Sequence, residues 1–116
     1  MAELTAREVL EALKAEIVAE GDLTRKVKGC YVSDLLSDVL SKSHEGDLWI
    51  TQHTHSNIVA VTSVKGLSAV VVVGGNVISE DTLQKARAEG VTLTTCPLSA
   101  FEAAGEVYNM LKSGAA

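Results

Sequence analysis

The chain has 116 residues and a formal net charge of −5, and its apolar residues are mostly Val, Leu and Ala, with one Trp, two Tyr and one Phe. That length suits one domain able to bury roughly two thirds of its unfolded surface without a metal or disulfides. The acidic balance and scarce aromatics count against nucleic acid and anionic membranes as partners, and every apolar run is too short to cross a bilayer.

Cys30 and Cys96 stand far apart with no CxxC, which excludes a zinc framework and reads as two free thiols in a reduced, cytoplasmic setting. The charged, amphipathic start has no apolar signal core. The cluster Arg25-Lys26-Val27-Lys28 is short and reads as a solvated turn.

In chain order, Thr5 to Lys14 reads as a helix. Thr5 and Glu8 form a T-x-x-E capping box, and Val9, Leu10 and Leu13 give it an apolar face. Ile17-Val18 is a short strand, Glu20-Gly21-Asp22 a turn, and Val27 to Val32 a second strand, bent or bulged at Gly29. Ser33 or Asp34 caps the next helix, which carries Leu35, Leu36, Val39 and Leu40. After Gly46, Leu48 to Thr51 is a strand that ends in the polar crossing Gln52-His53-Thr54-His55-Ser56-Asn57.

Ile58 to Val64 is ambiguous. Its β-branched residues favour a strand; a helix capped by His55, Ser56 or Asn57 is the rival. The continuous apolar run Ala69 to Val73 decides for the helix, because a strand covered on both faces belongs to a parallel sheet, which needs crossovers. Gly74-Gly75 closes that strand. Ser79 caps a helix through Leu83, Ala86 and Glu89, stopped by Gly90, and Val91 to Thr95 is the next strand, broken by Pro97. Ser99 and Glu102 make a second capping box, and the last helix presents Phe101, Ala104, Val107, Tyr108 and Leu111 on one side. Ser113 to Ala116 are expected to fray. The pattern is a single-domain α/β/α sandwich with a mostly parallel sheet, spanning residues 1–116.

His53-x-His55 is the sharpest local feature. In an extended segment both imidazoles can point the same way, as a metal pair needs, and HTHSN resembles the opening metal motif of PHP-type phosphoesterases. The further ligands of that site are missing, since His44 is the one other histidine, so no metal is expected. The same loop has a second reading. A helix starting at Asn57 or Ile58 would turn free amides toward the crevice at the strand carboxyl ends, where open α/β sheets bind ligands. Gly74, Gly75 and Asn76 fall at the same edge. The candidate ligand-binding set is therefore His53, Thr54, His55, Ser56, Asn57, Gly74, Gly75 and Asn76, for a nucleotide or other phosphorylated metabolite. No GK[ST] follows the glycines, so this is not a Walker loop, and an ordinary tight turn is the plainer reading of the pair. No nucleophile–base pair stands out. Asp34 and Asp38 read as a cap and a solvated carboxylate, and Trp49 as core or interface.

The segments VKGCYVSDLLSDVLSKSHEGDLWIT, IVAVTSVKGLSAVVVVGG, SEDTLQKARAEGVTL and PLSAFEAAGEVY together resemble the single-domain DRTGG proteins. The resemblance implies an α/β regulatory or assembly module, similar to the N-terminal domain of HPr kinase and found attached to CBS domains in pyrophosphatases and to phosphotransacetylases. It implies no catalysis and no cofactor. It further implies a homodimer acting on a partner enzyme or on a hydrogenase or kinase-like subunit in a redox-linked system. The glycines match the family at Gly74 and Gly75. Where many members carry a G-D-R-type sequence, this chain has Gln52 to Ser56, so contacts made by those acidic and arginine groups do not carry over.

Overall fold

The apolar run 69–73 sits at the middle of the molecule. In the computed structural model, which describes residues 3–114, Ala69–Val72 forms the central strand of a five-stranded sheet. The elements run α1 (Ala6–Leu13), β1 (Glu16–Ala19), β2 (Gly29–Val32), α2 (Leu36–Lys42), β3 (Asp47–Thr51), α3 (Asn57–Lys65), β4 (Ala69–Val72), α4 (Glu80–Glu89), β5 (Leu93–Thr95) and α5 (Ala100–Gly114). The strand order is β1-β5-β4-β3-β2. β2 to β5 are parallel, and β1 joins the edge antiparallel to β5.

The two-residue period of the strands divides the core. Leu48, Ile50, Ala69 and Val71 face one layer with the apolar sides of α1 and α5. Trp49, Val70 and Val72 face the other with Val39 of α2, Ile58 and Val61 of α3 and Ala86 of α4. A strand buried on both faces has no need for polar alternation. Ile58–Val64 is helical for the reason the parallel sheet demands: β3 and β4 can pair in parallel only if the chain crosses back between their ends.

Local signals account for most helix ends. Thr5 and Glu8 complete the capping box at α1, Ser79 accepts the Thr82 amide at α4, and Ser99 and Glu102 exchange bonds of 3.0 and 3.2 Å at α5. Gly66 and Gly90 close α3 and α4.

Several expectations are corrected. β2 begins at Gly29, not Val27, and its register with β3 runs unbroken from Gly29 to Val32; the irregularity lies in β1, between Ile17 and Ala19. A Cβ at position 29 would stand 2.6 Å from the Asp47 carboxylate, so the glycine makes room for a side chain instead of a bulge. Neither Ser33 nor Asp34 caps α2, whose N-cap is Leu35 with no side-chain bond. Asp34 is drawn instead to Thr51 and Gln52, whose donors end β3 and need an acceptor. Leu35 and Leu40 are exposed, as are Phe101 and Tyr108, while Ala103 and Val107 face the core. The expected fraying of 113–116 meets helix through Gly114; residues 115 and 116 lie outside the described residues.

Candidate functional site

The carboxyl ends of β2 to β5 bring four loops to one edge. Asp34, from the β2–α2 loop, holds the β3–α3 loop in place: its Oδ1 accepts from the Thr51 hydroxyl and the Gln52 amide, both at 2.8 Å. Thr51 Oγ1 accepts in turn from the His53 amide at 3.1 Å. His55 is exposed, and its Nδ1 accepts from the Asn57 amide at 3.1 Å. Of the three cap candidates it is thus the histidine whose side chain binds the start of α3. The Ile58 and Val59 amides donate to the carbonyls of His55 and Ser56. The Thr82 hydroxyl donates to the Thr54 carbonyl at 3.0 Å and Lys85 Nζ lies 3.5 Å from Ser56 Oγ, so the loop is tied to α4.

In the β4–α4 loop, Gly74 and Gly75 adopt left-handed φ values of 77° and 69°, which suit glycine. Their amides donate to the carbonyls of Leu98 at 2.9 Å and Cys96 at 3.2 Å. A phosphate cradle needs unengaged amides; these two fasten the β4–α4 loop to the β5–α5 loop. Asn76 Nδ2 closes the turn on the Val73 carbonyl at 2.9 Å.

Four of the eight candidate residues line two separate hollows. Gly75 and Asn76 line a cleft of about 460 Å³ with Lys14, Glu16, Leu83 and Thr95, between the β4–α4 loop, the end of β5 and the α1–β1 turn. Ser56 and Asn57 line a separate groove of about 430 Å³ between α3 and α4, beside Lys85. His53, Thr54, His55 and Gly74 line neither. Lys14 and Glu16 were not legible as site residues. Lys14 reaches the cleft because it ends α1 in a left-handed conformation, the one non-glycine residue among those described with positive φ, and that turn reverses the chain into β1.

Among the described residues no three His, Cys, Asp or Glu side chains cluster as metal ligands. Burial, and then the Asp47 carboxylate, push the Cys30 thiol up to about 12. The Tyr31 hydroxyl donates to Asp38 at 2.8 Å, which holds the Asp38 carboxyl below and the Tyr31 phenol above their usual ranges. The basic cluster is a clasp as well as a turn: Arg25 donates to the carbonyls of Gly66 at 2.8 Å and Leu67 at 3.1 Å, and Lys28 pairs with Glu45 at 3.4 Å.

These observations define an α/β sandwich with a loop-bearing strand edge and a cleft beside a glycine pair. The chain belongs to the DRTGG domain family, whose model matches residues 8–110. The CBS and DRTGG domains of the regulatory region of Clostridium perfringens pyrophosphatase, solved in complex with its activator diadenosine tetraphosphate, share the fold at a TM-score of 0.74 and 22% identity. The match covers 92% of this chain and 47% of that one, so this chain spans about half of it. A search of curated proteins finds no match. Among the described residues no helix is long and apolar enough to cross a membrane.

Proposed function

We propose that the chain is a regulatory module, a homodimer that acts on a partner enzyme and has no catalytic activity of its own. Its membership in the DRTGG family carries this reading. The loop contacts support it: Asp34 with Thr51 and Gln52, His55 with Asn57, and Thr82 with Thr54 make the strand edge a firm surface for a partner. The unbridged cysteines support a reducing, cytoplasmic setting. A hydrogenase or kinase-like subunit as the partner rests on the resemblance.

The 460 Å³ cleft favours a second reading, a sensor for a nucleotide or other phosphorylated ligand at the strand carboxyl edge. Its volume falls in the range of ligand pockets, about 300–1,000 Å³. Leu83 offers an apolar wall for a base, and Lys14 and Asn76 offer side-chain donors for phosphate oxygens. The Gly74 and Gly75 amides are already bonded, so the glycines serve here by shape. His53, Thr54, His55, Ser56 and Asn57 lie outside this cleft, Ser56 and Asn57 in the separate groove beside Lys85.

Thermal melting against diadenosine tetraphosphate, adenine nucleotides, acetyl phosphate, inorganic phosphate and divalent metals tests both readings. A ligand at a hundred times its Kd stabilises the fold by roughly 2.7 kcal/mol, which raises Tm by about 10 °C in a domain of this size. A nucleotide shift that Lys14→Ala and Asn76→Ala remove establishes the sensor. No shift with any compound leaves the protein-contact reading ahead. A metal shift removed by His55→Ala overturns the assignment of both loops.

A further inference from the structure

We infer that a second copy of this chain docks on the outward face of α5, the two helices lying antiparallel across a two-fold axis. The inference rests on the homodimer reading and names its surface.

Phe101 is 87% and Tyr108 66% exposed, although both are aromatic in a chain with few aromatics. Their spacing is ordered. Phe101, Gly105, Tyr108 and Lys112 follow one another at intervals of four, three and four, the spacing of a helix–helix seam. Ala103 and Val107, which bury against the sheet, lie on a different arc of the helix, so the seam is a second face whose two aromatics stay exposed among the described residues.

The face is complementary to itself in one orientation. Antiparallel pairing about the midpoint of the seam sets Tyr108 of each copy against Gly105 of the other. Nothing lies within 4 Å of the position a Cβ would take at Gly105, so the glycine leaves a notch for the ring. The same pairing sets Lys112 of each copy beside Phe101 of the other. Lys112 Nζ already stands 6.0 Å from the centre of the Tyr108 ring, placing the cation between two aromatic faces. Charge order points the same way. Glu102 lies in the first turn of α5 and Lys112 in the last. Antiparallel helices set the acidic first turn of each copy beside the basic last turn of the other, whereas parallel helices would set like ends together.

A 15-residue helix is about 22 Å long and 10–12 Å across, less than the roughly 800 Å² per partner of a standard interface. The contact therefore extends to the neighbouring edge of the sheet. There Tyr108, Ala104 and Leu111 share a groove of about 270 Å³ with Cys30 and Val32. Val32, on the edge strand β2, is 47% exposed.

Sedimentation velocity of the full chain over a concentration series tests the inference. Wild type is expected to form a dimer. Phe101→Glu and Tyr108→Glu are expected to raise the dimer Kd at least tenfold, with circular-dichroism melting showing that both remain folded. Orientation is read from oxidative cross-linking: Gly105→Cys with Tyr108→Cys gives a covalent dimer, and Gly105→Cys alone does not. A wild type that is monomeric at every concentration overturns the homodimer reading and this inference with it. A wild-type dimer that survives both glutamate substitutions overturns this surface alone. A covalent dimer of Gly105→Cys alone overturns the antiparallel arrangement.

Discussion

Cys30 shows how a residue's chemistry is set by its surroundings. Its thiol sits in a partly buried position on β2 beside the Asp47 carboxylate, and both influences disfavour the thiolate. With the thiol at about 12, the thiolate fraction at pH 8 is about a ten-thousandth, against roughly a quarter for an ordinary cysteine. Cys96 is buried, with its Sγ donating to the Leu13 carbonyl at 3.6 Å. Ellman's reagent at pH 8 is therefore expected to find no fast thiol in the native chain, with both reacting in guanidinium. A fast-reacting equivalent in the folded protein would show that Cys30 is not shielded. At this scale His55 has a use that needs no ligand: one residue before the Ser56 N-cap, its Nδ1 accepts the Asn57 amide that opens α3.

Between elements, Tyr31 and Asp38 join β2 to α2. The phenol donates and the carboxylate accepts, so the bond needs Asp38 ionised and Tyr31 protonated. Asp38 is lowered in the fold: its contribution is present above the unfolded value, about 3.9, and is lost as pH falls through the lower folded value. Tyr31 is raised: its contribution is present below about 10 and is lost as pH rises through the higher folded value. Tyr31→Phe keeps the ring and removes the bond. Its Tm is expected to fall below wild type by the largest margin between about pH 4 and pH 10, with the two curves converging at both extremes. A margin that stays constant from acid to alkali would assign the loss to packing instead.

At the scale of the whole molecule, Trp49 joins the sheet to one of its two helix layers. It is fully buried on β3 in the layer with α2 and α3, and its Nε1 donates to the Ser33 carbonyl at 2.8 Å, reaching the turn that enters α2. Trp49→Ala is expected to cost about 3–5 kcal/mol. Trp49→Phe retains much of the packing but strands the Ser33 carbonyl, a penalty of about 1–3 kcal/mol. Urea titration followed by circular dichroism measures both. A lower midpoint with an unchanged slope is the expected result; wild-type midpoints for both variants would mean that the indole does not hold the layers. The same ring is a reporter, since the chain has one Trp and its burial makes the emission sensitive to loss of the core.

The sequence by itself determined the α/β class, the parallel pairing around 69–73 and the helical crossing of Ile58–Val64. It also determined the caps at Thr5, Ser79 and Ser99. Capping and the period of burial are short-range: a hydroxyl three residues from an amide, or an apolar run unbroken by charge, carries its meaning without knowledge of the rest of the chain. Only the tertiary structure decided which arc of α5 meets the sheet, because Phe101 and Val107 are equally apolar and the choice lies with strands far away in sequence. It likewise decided that β1 lies antiparallel beside β5. That placement carries Lys14 and Glu16 to Gly75 and Asn76 and leaves Ser56 and Asn57 in another groove. The glycine pair is visible in the sequence. That its amides are bonded to the Leu98 and Cys96 carbonyls is not, because those carbonyls come from a loop more than twenty residues away whose position is fixed by the pairing of β4 with β5.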